Sequence, residues 1–273
     1  MPTSHVPTYL SNLHPHERDQ YISFQEEGHV YTVHGATDYT SVTTFIHSNF
    51  RVFDSESIVN KIISSKKHQT DPTYKYYQKP KTTILSEWSK NGEEASRLGT
   101  QMHYHIELYY NEEGVDDPSI EYQYFLQFHR DHILYKAYRT EYLVYHEEYK
   151  ISGSIDMLFL NPDGETYSIY DWKRVKSIEY ESYGNQGALT ECIEHLPDTN
   201  HFHYALQLSL YRYILETKYA MTITNLCLVV LHPDHPYKTY EKIEVPYLKK
   251  EIEDLLVYWK QGNCRFPVRP HPK

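Results

Sequence analysis

The stretch from Gly153 to Lys173, GSIDMLFLNPDGETYSIYDWK, constrains this chain more than any other. Residues 151 to 160 (ISGSIDMLFL) and 165 to 173 are rich in apolar, β-branched and aromatic side chains, and Asn161-Pro162-Asp163-Gly164 between them is a turn signal. The two runs therefore read as an antiparallel hairpin. Side chains two apart in a strand share a face, which sets Asp171 beside Lys173 and turns Trp172 the other way. Gly153, shortly before Asp156, lets a backbone or ligand approach the strand closely. An ionised carboxylate in so apolar a run is costly to bury unless a cation or donor pairs with it. Two aspartates and a lysine at one place are the parts of a divalent-metal site for phosphodiester cleavage. Each taken alone is more often a surface ion pair or a strand-end residue.

Three further segments fit the same chemistry. Glu93 to Tyr110 (EEASRLGTQMHYHIELYY) has apolar residues at helical spacing, and His103 and Glu107, four apart, share one stripe of that helix. The two could face a single metal cleft, whereas His105 points elsewhere. Downstream, the segment His201 to Tyr219 reads as a helix with Gln207 and Tyr211 on one face, placed to hold a phosphate or orient a catalytic side chain. The plainer alternative, Tyr211 in the core with Gln207 at its rim, is favoured for those two residues alone. Glu141, on the strand before the hairpin, reads as an outer contact to a metal site or as one more edge-strand acid.

The ordered set G-T-x-x-H-x-x-I-E (Gly99 to Glu107), G-x-I-D (Gly153 to Asp156), D-W-K (Asp171 to Lys173) and Q-x-x-x-Y (Gln207 to Tyr211) resembles the RecB-like branch of the PD-(D/E)XK nuclease superfamily. The resemblance covers roughly residues 93 to 245. The segment upstream also looks like the N-terminal extension of the mitochondrial genome maintenance exonuclease group and related viral exonucleases. The resemblance implies that His103, Asp156 and Asp171 are metal ligands, with the backbone carbonyl of Trp172 completing the sphere. It implies that Lys173 positions or activates the attacking water, that Glu107 is an additional or supporting ligand, and that Gln207 and Tyr211 hold the substrate and the lysine. Asp171 stands where many superfamily members carry glutamate, and aspartate is common in this branch. Some relatives bind an iron-sulfur cluster through four cysteines. This chain has three, Cys192, Cys227 and Cys264, so no such cluster is expected.

Hard carboxylate oxygens with one imidazole suit Mg²⁺ or Mn²⁺ better than Zn²⁺. A formal charge of −10 argues against a protein that coats duplex non-specifically, since that needs many Lys and Arg contacts with phosphate. A local basic path suffices for a nuclease acting on DNA that is single-stranded or has a free end. Candidates are the segment TYKYYQKPK, with Lys75 and Tyr76, the Lys173-Arg174-Lys176 cluster and the tail Arg265 to Lys273. A solvated loop explains residues 74 to 81 equally well. Unpaired cysteines and the lack of a long apolar run point to a soluble, intracellular protein. The pairs His129/His132, His201/His203 and His232/His235 read as surface or turn histidines.

The expected fold is α/β, a mixed central sheet flanked by helices in a restriction-endonuclease-like α/β/α core, with a mainly helical N-terminal extension. The expected division is 1–92 for the extension, 93–262 for the core and 263–273 for a basic tail. Residues 1 to 20 read as poorly ordered, with helices near 41–48, 54–65 and 84–91 before the motif helix. The expected function is metal-dependent DNA hydrolysis, as an exonuclease more than a structure-specific endonuclease. The other candidate is a non-catalytic nucleic-acid-binding module that kept the fold.

Overall fold

A computed structural model of the chain describes residues 5–262. The expected basic tail 263–273, with Cys264, lies outside the described residues. In chain order the first elements are α1 (Tyr9–Leu13), β1 (Ile22–Gln25), β2 (Val30–Val33), β3 (Thr40–Ser41), α2 (Val42–His47), α3 (Ser55–Ser64), α4 (Lys66–Thr70) and α5 (Lys81–Tyr110). They are followed by α6 (Ile120–Asp131), β4 (Lys136–His146), β5 (Ile151–Leu160), β6 (Tyr167–Lys173), α7 (Asn200–Lys218), β7 (Ile223–Val230), β8 (Glu241–Glu244) and α8 (Lys249–Lys260).

The chain forms two compact units, one of residues 5–51 with 102–262 and the other Val52–Gln101. The larger unit is α/β. Its six-stranded sheet runs β3-β5-β6-β7-β8, with β4 on the other edge of β5. The β4/β5, β5/β6 and β7/β8 pairs are antiparallel, and β6/β7 and β3/β5 are parallel. The β5–β6 turn follows its sequence signal, because Asp163 Oδ1 accepts the amides of Glu165 and Thr166, both at 2.9 Å, and Gly164 takes φ +74.

Alternation along the strands divides the core into two layers. Ile169, Leu226 and Leu228 pack beneath α2, α7 and α8 with Phe45, Leu208 and Leu255. Tyr170, Trp172, Cys227 and Val229 pack on the other face with Met102, Ile106, Phe125 and Phe128. Trp172 is fully buried and takes Phe125 and Phe128 edge-on, the favoured arrangement for aromatic rings. Helix starts are capped where the sequence supplies an oxygen, at Ser41, Ser119 and Thr199.

The structure corrects three expectations. Of the stretch 1–20, residues 1–4 lie outside the described residues and 5–20 are fixed rather than loose: Leu10 is buried with its amide on Asn111 Oδ1, and the Arg18 guanidinium lies 4.0 Å from the centre of the Tyr145 ring. The expected break at 92/93 falls inside α5, because Gly92 costs a helix only ~1 kcal/mol and no proline interrupts the run. Residues 5–51 belong with the core, since β3 pairs with β5 and Ile22, Tyr31 and Val33 pack on Tyr145.

The smaller unit is helical, made of α3, α4 and the first part of α5, with α3 capped by Asp54 and α4 by Ser65. Among the described residues, no helix is long and apolar enough to cross a membrane.

Candidate metal centre

The site is built where β5 and β6 part. They pair from Leu160↔Tyr167 to Met157↔Tyr170 and go no further, while β6 stays paired to β7 through Lys173↔Val230. One edge of β6 is thus uncovered at Trp172. Asp156 Oδ2 accepts the Trp172 amide at 2.9 Å, replacing a strand partner. The N–H and C=O of one residue point to the same side of a strand, so the Trp172 carbonyl also faces the opening, and His103 Nε2 meets it at 2.9 Å.

The pleat changes phase at the same place. Ile151 and Ile155 pack in one core layer, yet Met157 and Phe159, of the same parity, pack in the other. Asp156 sits at the change. On the neighbouring strand, between the pairs Thr140↔Met157 and Tyr142↔Ile155, Glu141 takes φ +40. A non-glycine residue in the left-handed region is strained and persists only where its surroundings hold it. This kink brings Glu141 into the site: its Oε1 lies 3.9 Å from His103 Nδ1, and its Oε2 accepts Ser154 Oγ at 2.6 Å.

The donor set follows. His103 Nδ1 is 3.4 Å from Asp156 Oδ2, and His103, Glu141 and Asp156 each offer a ligand atom within 4.8 Å of the others. Asp171 lies on the opposite face of β6 from Trp172, as the strand period requires, with Lys173 Nζ 2.6 Å from its Oδ2. Gln207 Nε2 donates to Asp171 Oδ1 at 3.3 Å. The lysine ammonium is the ionic partner of the buried Oδ2. Tyr204 completes the lysine's surroundings, its ring centre 4.5 Å from Nζ.

Carboxylates outnumber basic groups at the site, and their pKa values respond to that. Burial, then the Asp171 charge, pushes Asp156 up to about 7. Burial, with Glu141 and Glu113, lifts Glu107 to about 8. Burial disfavours the His103 imidazolium, but Asp156 and Glu141 outweigh it and hold its pKa at about 9. Burial opposes the Glu141 carboxylate as well, yet His103 and Ser154 keep it below its ordinary value. Lys173 is held above the ordinary lysine value by Asp171 and Asp156 against burial. Fully ionised, the four carboxylates Glu107, Glu141, Asp156 and Asp171 face one imidazolium and one ammonium, leaving two negative charges over. Protons held by Glu107 and Asp156, whose pKa values burial and the neighbouring carboxylates raise, relieve that surplus, and a bound cation would relieve it in their place.

These residues fit a hard divalent cation. His103 turns Nε2 to the Trp172 carbonyl in a 2.9 Å hydrogen bond and Nδ1 to Asp156 and Glu141, at 3.4 and 3.9 Å, so oxygen donors converge on one imidazole. The other donors gathered here are hard oxygens, the carboxylates of Asp156, Glu141 and Asp171 and the Trp172 carbonyl, which is the kind of set such a cation takes.

Of the residues singled out from sequence, the structure brings His103, Asp156, Asp171, the Trp172 carbonyl, Lys173 and Gln207 together, with Glu107 one helical turn from His103. Tyr211 is buried behind them, and a Cβ on Gly153 would lie 2.8 Å from its ring and its hydroxyl. Arg174 is tied to Glu121 at 2.7 Å and Lys176 to Asp234 at 2.9 Å, so this cluster is internally neutralised. Lys75 and Tyr76 belong to the smaller unit. His105 turns away, onto Asp117 at 2.6 Å. His201, His232 and His235 are buried rather than superficial, while His232 and His235 do lie in the turn between β7 and β8, the latter on Glu241 at 3.0 Å. Sequence reasoning missed Ser154 and Tyr204. Tyr204, three residues before Gln207, could have been found on the same helical stripe.

No family model matches the chain, and no curated protein sequence matches it.

Proposed function

We propose that this chain is a metal-dependent deoxyribonuclease of the RecB-like PD-(D/E)XK kind, hydrolysing phosphodiester bonds with Mg²⁺ or Mn²⁺. The observation that carries the reading is the meeting of His103, Asp156 and the Trp172 carbonyl at the opening between β5 and β6, with the Asp171–Lys173 pair on the same strand. A bound divalent ion lowers the pKa of its water and neutralises charge on the phosphate. The chain's own residues do the rest. His103, Glu141 and Asp156, whose ligand atoms lie within 4.8 Å of one another, would hold the ion with the Trp172 carbonyl, and Asp171 would join them as the resemblance implies. Gln207 fixes one oxygen of Asp171 and so orients the other. Lys173, kept protonated by Asp171 and Asp156, presents a fixed cation to the attacking water and the phosphate.

Action from strand ends is the finer form of the proposal and rests on the looser resemblance of the N-terminal segment. The free thiols of Cys192 and Cys227 suit the reducing interior of a cell, cytoplasm or nucleus, as the proposed place of work.

The test is incubation of end-labelled single- and double-stranded DNA with Mg²⁺, Mn²⁺ or EDTA, alongside Asp171→Ala and Lys173→Ala. Cleavage confined to the wild-type protein with metal is expected. Cleavage that persists in EDTA or in both variants would overturn the assignment. A circular substrate separates end-directed from internal cutting.

A further inference from the structure

We propose that the helical unit Val52–Gln101 carries a base-stacking surface for single-stranded DNA, formed by Phe53, Trp88, Tyr76 and Tyr74 with Lys75 beside them. The proposal deepens the nuclease reading and rests on it for the choice of DNA as the polymer.

The rings form a continuous series. Phe53 and Trp88 have centroids 6.0 Å apart, Trp88 and Tyr76 6.0 Å, and Tyr76 and Tyr74 5.6 Å. Trp88 Nε1–H donates to the Tyr76 hydroxyl at 3.0 Å, which fixes the middle of the series. Lys75 Nζ stands 5.2 Å from the centre of the Tyr76 ring. None of these rings is swallowed by a core. The unit fully buries only Val59 and Ile84, whereas Phe53 is 68% exposed and the other three rings are half-buried.

Charge identifies the occupant. Residues 52–101 hold eight lysines and arginines against six aspartates and glutamates, a net +2 in a chain of −10, so the remainder carries −12. At physiological salt charges act over about 8 Å, and a polyanion meets each unit's local charge rather than the chain's average. Within the unit, Glu56, Glu87 and Glu94 are taken by Lys81, Lys79 and Arg97. Among the described residues, Lys66, Lys67, Lys75 and Lys90 make no ion pair and are available to phosphates. An aromatic series with the free ammonium of Lys75 beside it matches a strand whose bases are unpaired, because in a duplex those bases already stack on each other. Each ring that takes a base is expected to strengthen binding about tenfold.

The experiment measures binding by the full chain in EDTA, where nothing is cut, using fluorescence anisotropy of labelled oligo-dT, an abasic strand of equal length and a matched duplex. Phe53→Ala, Tyr74→Leu and Lys75→Gln are compared with the wild type after their melting curves are shown to agree. Oligo-dT is expected to bind tightest, to quench tryptophan emission, and to lose about tenfold in affinity with Phe53→Ala or Tyr74→Leu. The abasic strand is expected to bind wild type and ring variants alike and to weaken only with Lys75→Gln. Equal binding of oligo-dT and the abasic strand, or ring variants that bind oligo-dT like the wild type, would overturn the proposal. Cleavage with Mn²⁺ is measured separately. Intact cleavage without base-dependent binding removes the stacking surface alone, and base-dependent binding without cleavage removes the nuclease reading alone.

Discussion

Glu141 and Asp156 face each other across β4 and β5, between the pairs Thr140↔Met157 and Tyr142↔Ile155, where Glu141 adopts φ +40 and the pleat changes phase. The left-handed conformation costs an L-residue ~1–2 kcal/mol, and what that strain achieves is to carry a second carboxylate to His103. Two outcomes are expected. Glu141→Gln keeps the shape, removes the charge and lowers divalent-metal affinity by about 10- to 100-fold, read by calorimetric titration. Glu141→Gly, which adopts this φ freely, is more stable than Glu141→Ala by ~1 kcal/mol in urea denaturation. Equal stability of the two would show that the backbone at 141 is unstrained.

Lys173 and Asp171 form a buried pair, with side chains 16% and 3% exposed. Removing one partner of such a pair strands a charge, whereas removing both does not. Lys173→Met alone is expected to cost about 3–5 kcal/mol in metal-free buffer. Asp171→Asn with Lys173→Met should cost clearly less than Lys173→Met alone. A double-mutant cycle by chemical denaturation checks this, and additive costs would count against coupling. Both variants are expected to be inactive.

Much of this arrangement was legible in the chain, and the illegible part has a common cause. The hairpin declared itself through β-rich composition on either side of Asn161–Gly164, and the strand period alone put Asp171 with Lys173 and away from Trp172. Helical spacing placed Gln207 on the stripe that meets Asp171. What failed to show depends on contacts between distant segments or on a backbone irregularity. The phase change at Asp156 and the kink at Glu141 break the period on which strand reading depends, and no residue type announces them. Arg174 read as part of a basic path because its partner Glu121 lies 53 positions away, on α6. Composition misled at residues 5–20, where prolines and histidines suggested disorder but Leu10 and Arg18 anchor the segment to the core.

Gly153 has no left-handed backbone angle to protect, so its reason is space. An added Cβ would come within 2.8 Å of both Cε1 and the hydroxyl of Tyr211, a ring buried in the core and unable to retreat. Gly153→Ala is expected to destabilise by about 1–3 kcal/mol through overpacking and to impair cleavage by shifting β5 near Asp156. Tyr211→Leu in the Gly153→Ala background should recover most of the loss, because the clashing ring is gone. Thermal melts of the four proteins check this, and failure of the second change to compensate would place the strain elsewhere.

His146 sets an acid limit on stability far from the metal centre. Only 4% exposed, it lies against the rings of Tyr149 and Tyr213, and its Nδ1 has no hydrogen-bond partner. Burial, with the nearby Lys218 charge, lowers its pKa to about 4. The unfolded chain has an ordinary histidine near 6.5, so between these values the unfolded state holds a proton that the folded state refuses. The stability due to this site is therefore complete above pH 6.5 and drains away as pH falls towards 4, by up to about 3 kcal/mol. His146→Phe keeps the ring stacking and has nothing to protonate. Urea denaturation across that pH range should give a shallower acid decline for the variant than for the wild type. Parallel profiles would mean that His146 is protonated without cost in the folded protein.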